Sequence, residues 1–143
     1  MIFKKLTKIG KTVLISSLVF ASHCLGGPTE DIIKGYAAEA KKSDPKFKDF
    51  DSTKGREFYF AEQSLKDGKL MSCAECHTKD PKALGKAPTG KPIEPMAPSV
   101  NPQRFTDKAK VEKWFKRNCH DVYERLCTPV EKGNFIRFMQ SIK

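Results

Sequence analysis

This 143-residue chain has little histidine and little strand-like alternation. His23, His77 and His120 are its only histidines. No run of alternating apolar and polar residues is long enough for a convincing strand, so the chain reads as helices joined by irregular loops. No internal repeat is visible, which argues against a repeat architecture. The first 27 residues contain no acid at all. They carry Lys4, Lys5, Lys8 and Lys11, then the apolar run Thr12 to Ala21, then the small residues of "ASHCLGG". That order is a charged region, an apolar region and a cleavage zone, and the run is too short to span a bilayer permanently. Residues 1–27 are therefore expected to be a signal peptide cut between 21 and 27, with 28–143 as one domain. Val19 and Ala21 suit the positions before a cut, while Cys24 and Gly26 are alternatives. A lipoprotein reading of Cys24 is disfavoured because His23 stands where a small residue is expected.

Without that segment 23 basic residues face 17 acids, a balance of +6. An exported basic protein of a bacterium is periplasmic. Its charge then points to an acidic protein or an anionic surface and away from nucleic acid. If Cys24 leaves with the signal, Cys73, Cys76, Cys119 and Cys127 remain, and an oxidising compartment asks each of them to be bonded.

Four longer helices and a short one are expected. Thr29 can cap "EDIIKGYAAEAKKS", with Ile33, Tyr36, Ala37 and Ala40 on one face. Asp51 or Ser52 starts "TKGREFYFAEQSL", where Gly55, Phe58 and Tyr59 share a side. "SCAECHTK" is a short helical turn. Six of the nine prolines lie between Asp80 and Pro102, which marks a loop rather than a regular element. "DKAKVEKWFKRNCHDV" is the clearest helix. Thr128, Pro129 and Glu131 form a capping box before "NFIRFMQSIK", where Phe135, Phe138, Met139 and Ile142 recur at helical spacing.

The chemistry centres on Cys73-Ala-Glu-Cys76-His77. In an exported protein the pattern C-x-x-C-H is the attachment signal of a c-type haem. Two thiols on one helical turn can add to the two vinyl groups of a porphyrin, and the next residue aims its imidazole at the iron from the same side. Cys73 and Cys76 are thus the expected thioether anchors of one covalent haem c, with His77 as proximal ligand. A zinc site completed by Cys119, Cys127 or His120 is a weaker rival, because Cys119 and Cys127 are not a tight second pair. A thioredoxin-type redox pair wants a βαβ setting that is lacking. The glycine-bearing helix around Gly55 and the aromatic-rich last helix resemble the crossing pair of class I cytochromes c. The expected fold is all-α and class I cytochrome c-like, with an extra N-terminal helix.

The sixth position on the iron separates an electron carrier from a gas-binding site. Met71, Met96, Asn118 and His120 are the candidates. Met71 precedes Cys73 too closely to reach round the ring. Met96, in the proline-rich loop, is the conventional choice. Asn118 falls within a stripe formed by Val111, Trp114, Phe115 and Val122. An amide aimed into an apolar interior costs a few kcal/mol unless something receives it, and an iron atom would. A buried amide bonded to backbone is the plainer reading of the same residue. His120 lies on the lysine-rich, solvated side of that helix.

The string "MAPSVNPQRFTDKAKVEKWFKRNCHDVYERLCTPVEKG", together with the C-x-x-C-H, closely resembles the Sphaeroides haem protein family of oxygen-binding cytochromes c. The likeness runs from about Asp31 to the C-terminus. It implies that Asn118 is the distal ligand of the oxidised haem, that it dissociates on reduction, and that the opened iron binds oxygen, nitric oxide or carbon monoxide. It implies a Cys119–Cys127 disulfide and demotes Met96 to runner-up. It also implies a place in an electron-transfer chain with a dihaem cytochrome c and a membrane cytochrome b. His120 and Tyr123, and the lysine-rich segment 66–72, are departures from the family pattern. Asparagine is a weak donor that suits Fe(III) better than Fe(II), so reduction should free the site. The lysines near the motif (Lys66, Lys69, Lys79, Lys82, Lys86) suit an acidic redox partner. The leading expectation is a redox-gated haem site that binds a small oxidant, with its reduction, and so an enzymatic role, left open. The alternative is a plain electron shuttle with permanent His77 and Met96 ligands.

Overall fold

The computed structural model describes residues 26–143. The expected signal segment, with His23 and Cys24, lies almost entirely outside them. Five helices carry the fold: α1 (Pro28–Ser43), α2 (Ser52–Phe60), α3 (Cys73–His77), α4 (Lys108–Tyr123) and α5 (Pro129–Ser141). The only strands among the described residues form two antiparallel ladders of two residues a side. β1 (Gln63–Ser64) pairs with β2 (Leu70–Met71), and β3 (Gly85–Lys86) with β4 (Pro92–Ile93). The second ladder falls inside the proline-rich segment expected to be a plain loop, and the first cuts short the helix expected to run past Phe60. Pairs this short have no sequence period to betray them.

Local chemistry sets the helix ends. Asp51 accepts from the amides of Thr53 and Lys54 at the start of α2. Asp107 accepts from the amide of Lys110 at the start of α4. Thr128 and Glu131 close a reciprocal capping box on α5. Thr29 does not cap α1, because Pro28 already occupies the first turn and Gly27 is the cap residue. The buried face of α1 is Ile32, Ile33, Tyr36 and Ala40, with Ile32 taking the place expected of Ala37.

The core is built where α2 crosses α5. A methyl group on Gly55 would lie 2.0 Å from the carbonyl oxygen of Asn134. Only glycine allows the two backbones so close. Around that contact Tyr59, Ile136 and Met139 are fully buried, and Asn134 Oδ1 accepts from the Asp51 amide at 2.8 Å. α1 packs on α5 and is tied to it by Arg137, which donates to both carboxylate oxygens of Glu30 at 2.7 and 3.0 Å. No other helix approaches α4 with the closeness that joins α2 to α5. It is held by side chains instead. Phe115 meets Phe135 edge-on at 5.4 Å, and Glu112 accepts from Tyr36 at 2.6 Å and from Lys132 at 2.8 Å. The space left between α4 and α3 is the site.

Candidate haem site

α3 begins at Cys73 because Ser72, extended and buried, turns the backbone into one short helix. The helix places Cys73, Cys76 and His77 on the wall of a cavity of about 890 Å³. β3 presses against its back. A Cβ on Gly85 would lie 2.3 Å from the Cys76 carbonyl oxygen and 3.1 Å from the His77 Cα, so the hairpin leaves no room for a side chain there. After His77 the backbone turns at Thr78 with φ 64°, a conformation a β-branched residue rarely adopts. Two bonds hold it: the Tyr59 hydroxyl donates to the Thr78 carbonyl at 2.7 Å, and the Thr78 hydroxyl donates to the Asp80 carbonyl at 2.7 Å.

The other wall comes from α4 and the segment before it. Trp114, Asn118 and Val122 line it, with Met96 and Arg104. Trp114, expected in the buried stripe, is 46% exposed. It lines the cavity while staying open to solvent, with Lys113 and Arg117 each 5.7 Å from its ring centre. Asn118 is half-buried, and its side chain has no hydrogen-bond partner among the described residues. Met96 is buried in the same cavity wall, its amide donating to the Pro81 carbonyl at 2.8 Å. Met71 also reaches the cavity. His120 is exposed beside Asp121 and does not line it.

Three features say what the cavity suits. Most of its lining surface is apolar, although charged side chains such as Glu94, Arg104 and Arg117 also reach it. His77 Nδ1 is fully buried with no partner among the described residues. Burial, helped by the nearby Arg104 charge, pushes His77 down to about 4, so the imidazole is neutral and able to ligate a metal. Burial likewise pushes the Cys73 thiol up to about 12 and raises that of Cys76. Both are free thiols on one turn that face the same largely apolar cavity. The residues fit a haem.

A zinc site does not fit. Cys119 and Cys127 are bonded to each other, with Cα atoms 5.7 Å apart, and neither can join Cys73 and Cys76. Among the described residues no three His, Cys, Asp or Glu side chains gather to hold a metal ion.

The C-terminal end of α4 is fastened at several points that the motif alone does not disclose. The disulfide ties Cys119 to Cys127, just ahead of α5. Tyr123 stacks on Phe58 at 4.6 Å, and its hydroxyl donates to the Phe58 carbonyl. Arg125 lies over the Tyr123 ring and forms a forked pair with Glu131.

An apolar cavity walled by a C-x-x-C-H helix on one side and a loosely packed helix on the other defines a monohaem c-type cytochrome. Comparison with known proteins agrees. Residues 45–139 match the domain of unknown function DUF1924. Cytochrome c'' of Methylophilus methylotrophus is 36% identical over 135 residues, covering 92% of this chain and 94% of that protein. Its oxidised structure superposes with a TM-score of 0.75 at 37% identity, covering 81% of this chain and 95% of that one. The cytochrome c-type protein SHP of Cereibacter sphaeroides is 41% identical over 128 residues, covering 88% of this chain and 95% of that protein. The structure of oxidised SHP, described as an oxygen-binding cytochrome c, gives a TM-score of 0.69 at 38% identity over 79% of this chain and 96% of that one. The protein belongs to the DUF1924 family, that of cytochrome c'' and SHP, and its cofactor is one covalently bound haem c.

Proposed function

We propose that Cys73 and Cys76 carry the haem through thioethers, that His77 is its proximal ligand, and that Asn118 is a distal ligand present only in the oxidised form. The haem, when bound, supplies a one-electron couple. The amide oxygen of Asn118 is a hard, weak donor that holds Fe(III) and is released when the metal softens on reduction. Its departure leaves a position for oxygen, nitric oxide or a related small oxidant. We assign no reaction to that site. One observation carries the reading: Asn118 is a half-buried amide that lines a largely apolar cavity and has no protein partner among the described residues. Met96 stands in the same wall. A carrier with permanent His77 and Met96 ligands is therefore the second reading.

The cellular setting follows from the sequence. The lysine-led apolar segment at residues 1–27 supports export to the periplasm, and no described helix is long and apolar enough to cross a membrane. Lys66, Lys69, Lys79, Lys82 and Lys86 are all exposed around α3 and its hairpins. Such a surface suits an acidic redox partner, a dihaem cytochrome c being the one the family resemblance implies.

The ferrous absorption spectrum with and without carbon monoxide tests the reading. Five-coordinate high-spin iron that takes the gas supports it. A low-spin ferrous spectrum indifferent to the gas, which loses its ligand signature in Met96→Ala, supports the permanent carrier.

A further inference from the structure

Several charged side chains line the cavity, and Arg104 is the one fixed there by neutral carbonyl groups. Arg104 lines the cavity and is half-buried. Its side chain is fixed in place. Nε donates to the Pro95 carbonyl at 2.7 Å, Nη2 donates to the Glu94 carbonyl, and Asn101 Nδ2 donates to the same Pro95 oxygen at 3.2 Å. Nη1 has no partner among the described residues.

Of the other four arginines, Arg56 is exposed over the Phe60 ring and the remaining three sit by carboxylates. Arg125 forks onto Glu131, Arg137 forks onto Glu30, and Arg117 sits 3.8 Å from Asp121. Arg104 has no carboxylate within ion-pair distance among the described residues. Neutral carbonyls orient a guanidinium but do not neutralise it. A partly desolvated cation without an ion-pair partner is costly, and burial lowers its pKa, with the more distant Glu94 charge working the other way. The planar fork of arginine is matched by a carboxylate, and a haem carries carboxylates on its propionate arms.

We propose that Arg104, held ready by the Pro95 and Glu94 carbonyls, receives a propionate of the haem and that its fixed charge raises the reduction potential. This rests on the reading that Cys73, Cys76 and His77 hold the haem. A positive charge near the metal disfavours the oxidised form, which carries one positive charge more. Removing it both withdraws that repulsion and leaves a propionate uncompensated, and both changes favour oxidation.

The experiment uses the mature holoprotein and its Arg104→Gln and Arg104→Lys variants. Covalent haem is established first by mass and by the pyridine haemochrome spectrum. A wild type without covalent haem overturns the reading of the attachment motif, not only this proposal. With haem in place, Arg104→Gln is expected to shift the one-electron equilibrium about tenfold toward the oxidised form, a midpoint lower by about 59 mV. It is also expected to move the carboxylate bands in the redox-difference infrared spectrum. Arg104→Lys, which keeps the charge, is expected to restore most of the potential. Arg104→Gln with wild-type potential and wild-type carboxylate bands overturns the proposal, and a lowered potential with unmoved bands overturns the propionate contact. Should the glutamine variant fail to mature, a crystal structure of the oxidised wild type decides. The guanidinium on a haem carboxylate supports the proposal, and the guanidinium paired with Glu94 or turned to water overturns it.

Discussion

The crossing of α2 on α5 and the gap between α3 and α4 are opposite solutions within one small domain. At the crossing the protein supplies every packing atom itself: Gly55 lies so near Asn134 that not even a methyl group fits, and the surrounding Tyr59, Ile136 and Met139 are fully buried. Across the gap the protein leaves a cavity of about 890 Å³, a buried His77 nitrogen without a partner, and a half-buried Asn118 amide without one. Interiors are packed to crystal-like density, and buried polar groups are bonded. The first region obeys the packing rule alone, and the second obeys it only with a ligand in the cavity. The difference assigns stability mainly to the crossing and function to the gap.

Substitutions at the crossing should therefore act on stability and leave the haem spectrum alone. Gly55→Ala puts a Cβ against backbone, which cannot swing aside as a flexible side chain can. It is expected to cost ~3 kcal/mol, read as a lowered denaturation midpoint of the holoprotein. An unchanged midpoint would mean that the helices separate readily and that the contrast is overdrawn. Replacing Cys119 and Cys127 together by alanine opens a short loop at the end of α4 and should cost ~2–3 kcal/mol. Because this staple borders the gap, its loss should also broaden the oxidised spectrum, whereas Gly55→Ala should not. Tyr123→Phe removes the hydroxyl that ties α4 to α2 and should cost ~1 kcal/mol. Hydrogen exchange should locate that loss at the end of α4.

The smallest effect belongs to the surface tie between α1 and α5. The Arg137 hydrogen bond holds the Glu30 carboxyl below its ordinary value, with burial working the other way. The stabilisation is present above the unfolded carboxyl pKa, near ~4.3, and fades as pH falls through the lower folded value. Glu30→Gln should be less stable than wild type at neutral pH by under ~1 kcal/mol. The difference should vanish once the pH has fallen below the folded pKa of Glu30. A difference that persists or grows in acid would place the effect elsewhere than in this pair.

The sequence discloses the two regions unequally. Gly55, the aromatic last helix and the capping box at Thr128 are local patterns with fixed periods, and the crossing follows from them. In the gap, the C-x-x-C-H motif announces its own chemistry because ligand spacing on one turn is a short-range property. The opposite wall is different. Asn118 stands out only as a polar residue in an apolar stripe, and Trp114 in that stripe is nearly half exposed. Arg104 carries no pattern at all, since its setting depends on carbonyls nine and ten residues earlier in a proline-rich loop. The two-residue ladders that shape that loop and the one before α3 are invisible for the same reason: contacts between distant or aperiodic positions leave no signature in a single sequence.

The spin state of the oxidised haem in Asn118→Ala, read by electron paramagnetic resonance beside the wild type, tests the central claim most directly. The account predicts low-spin iron in the wild type and high-spin iron in the variant. Low-spin iron retained in the variant would contradict it and hand the sixth position to another residue, with Met96 the first to examine.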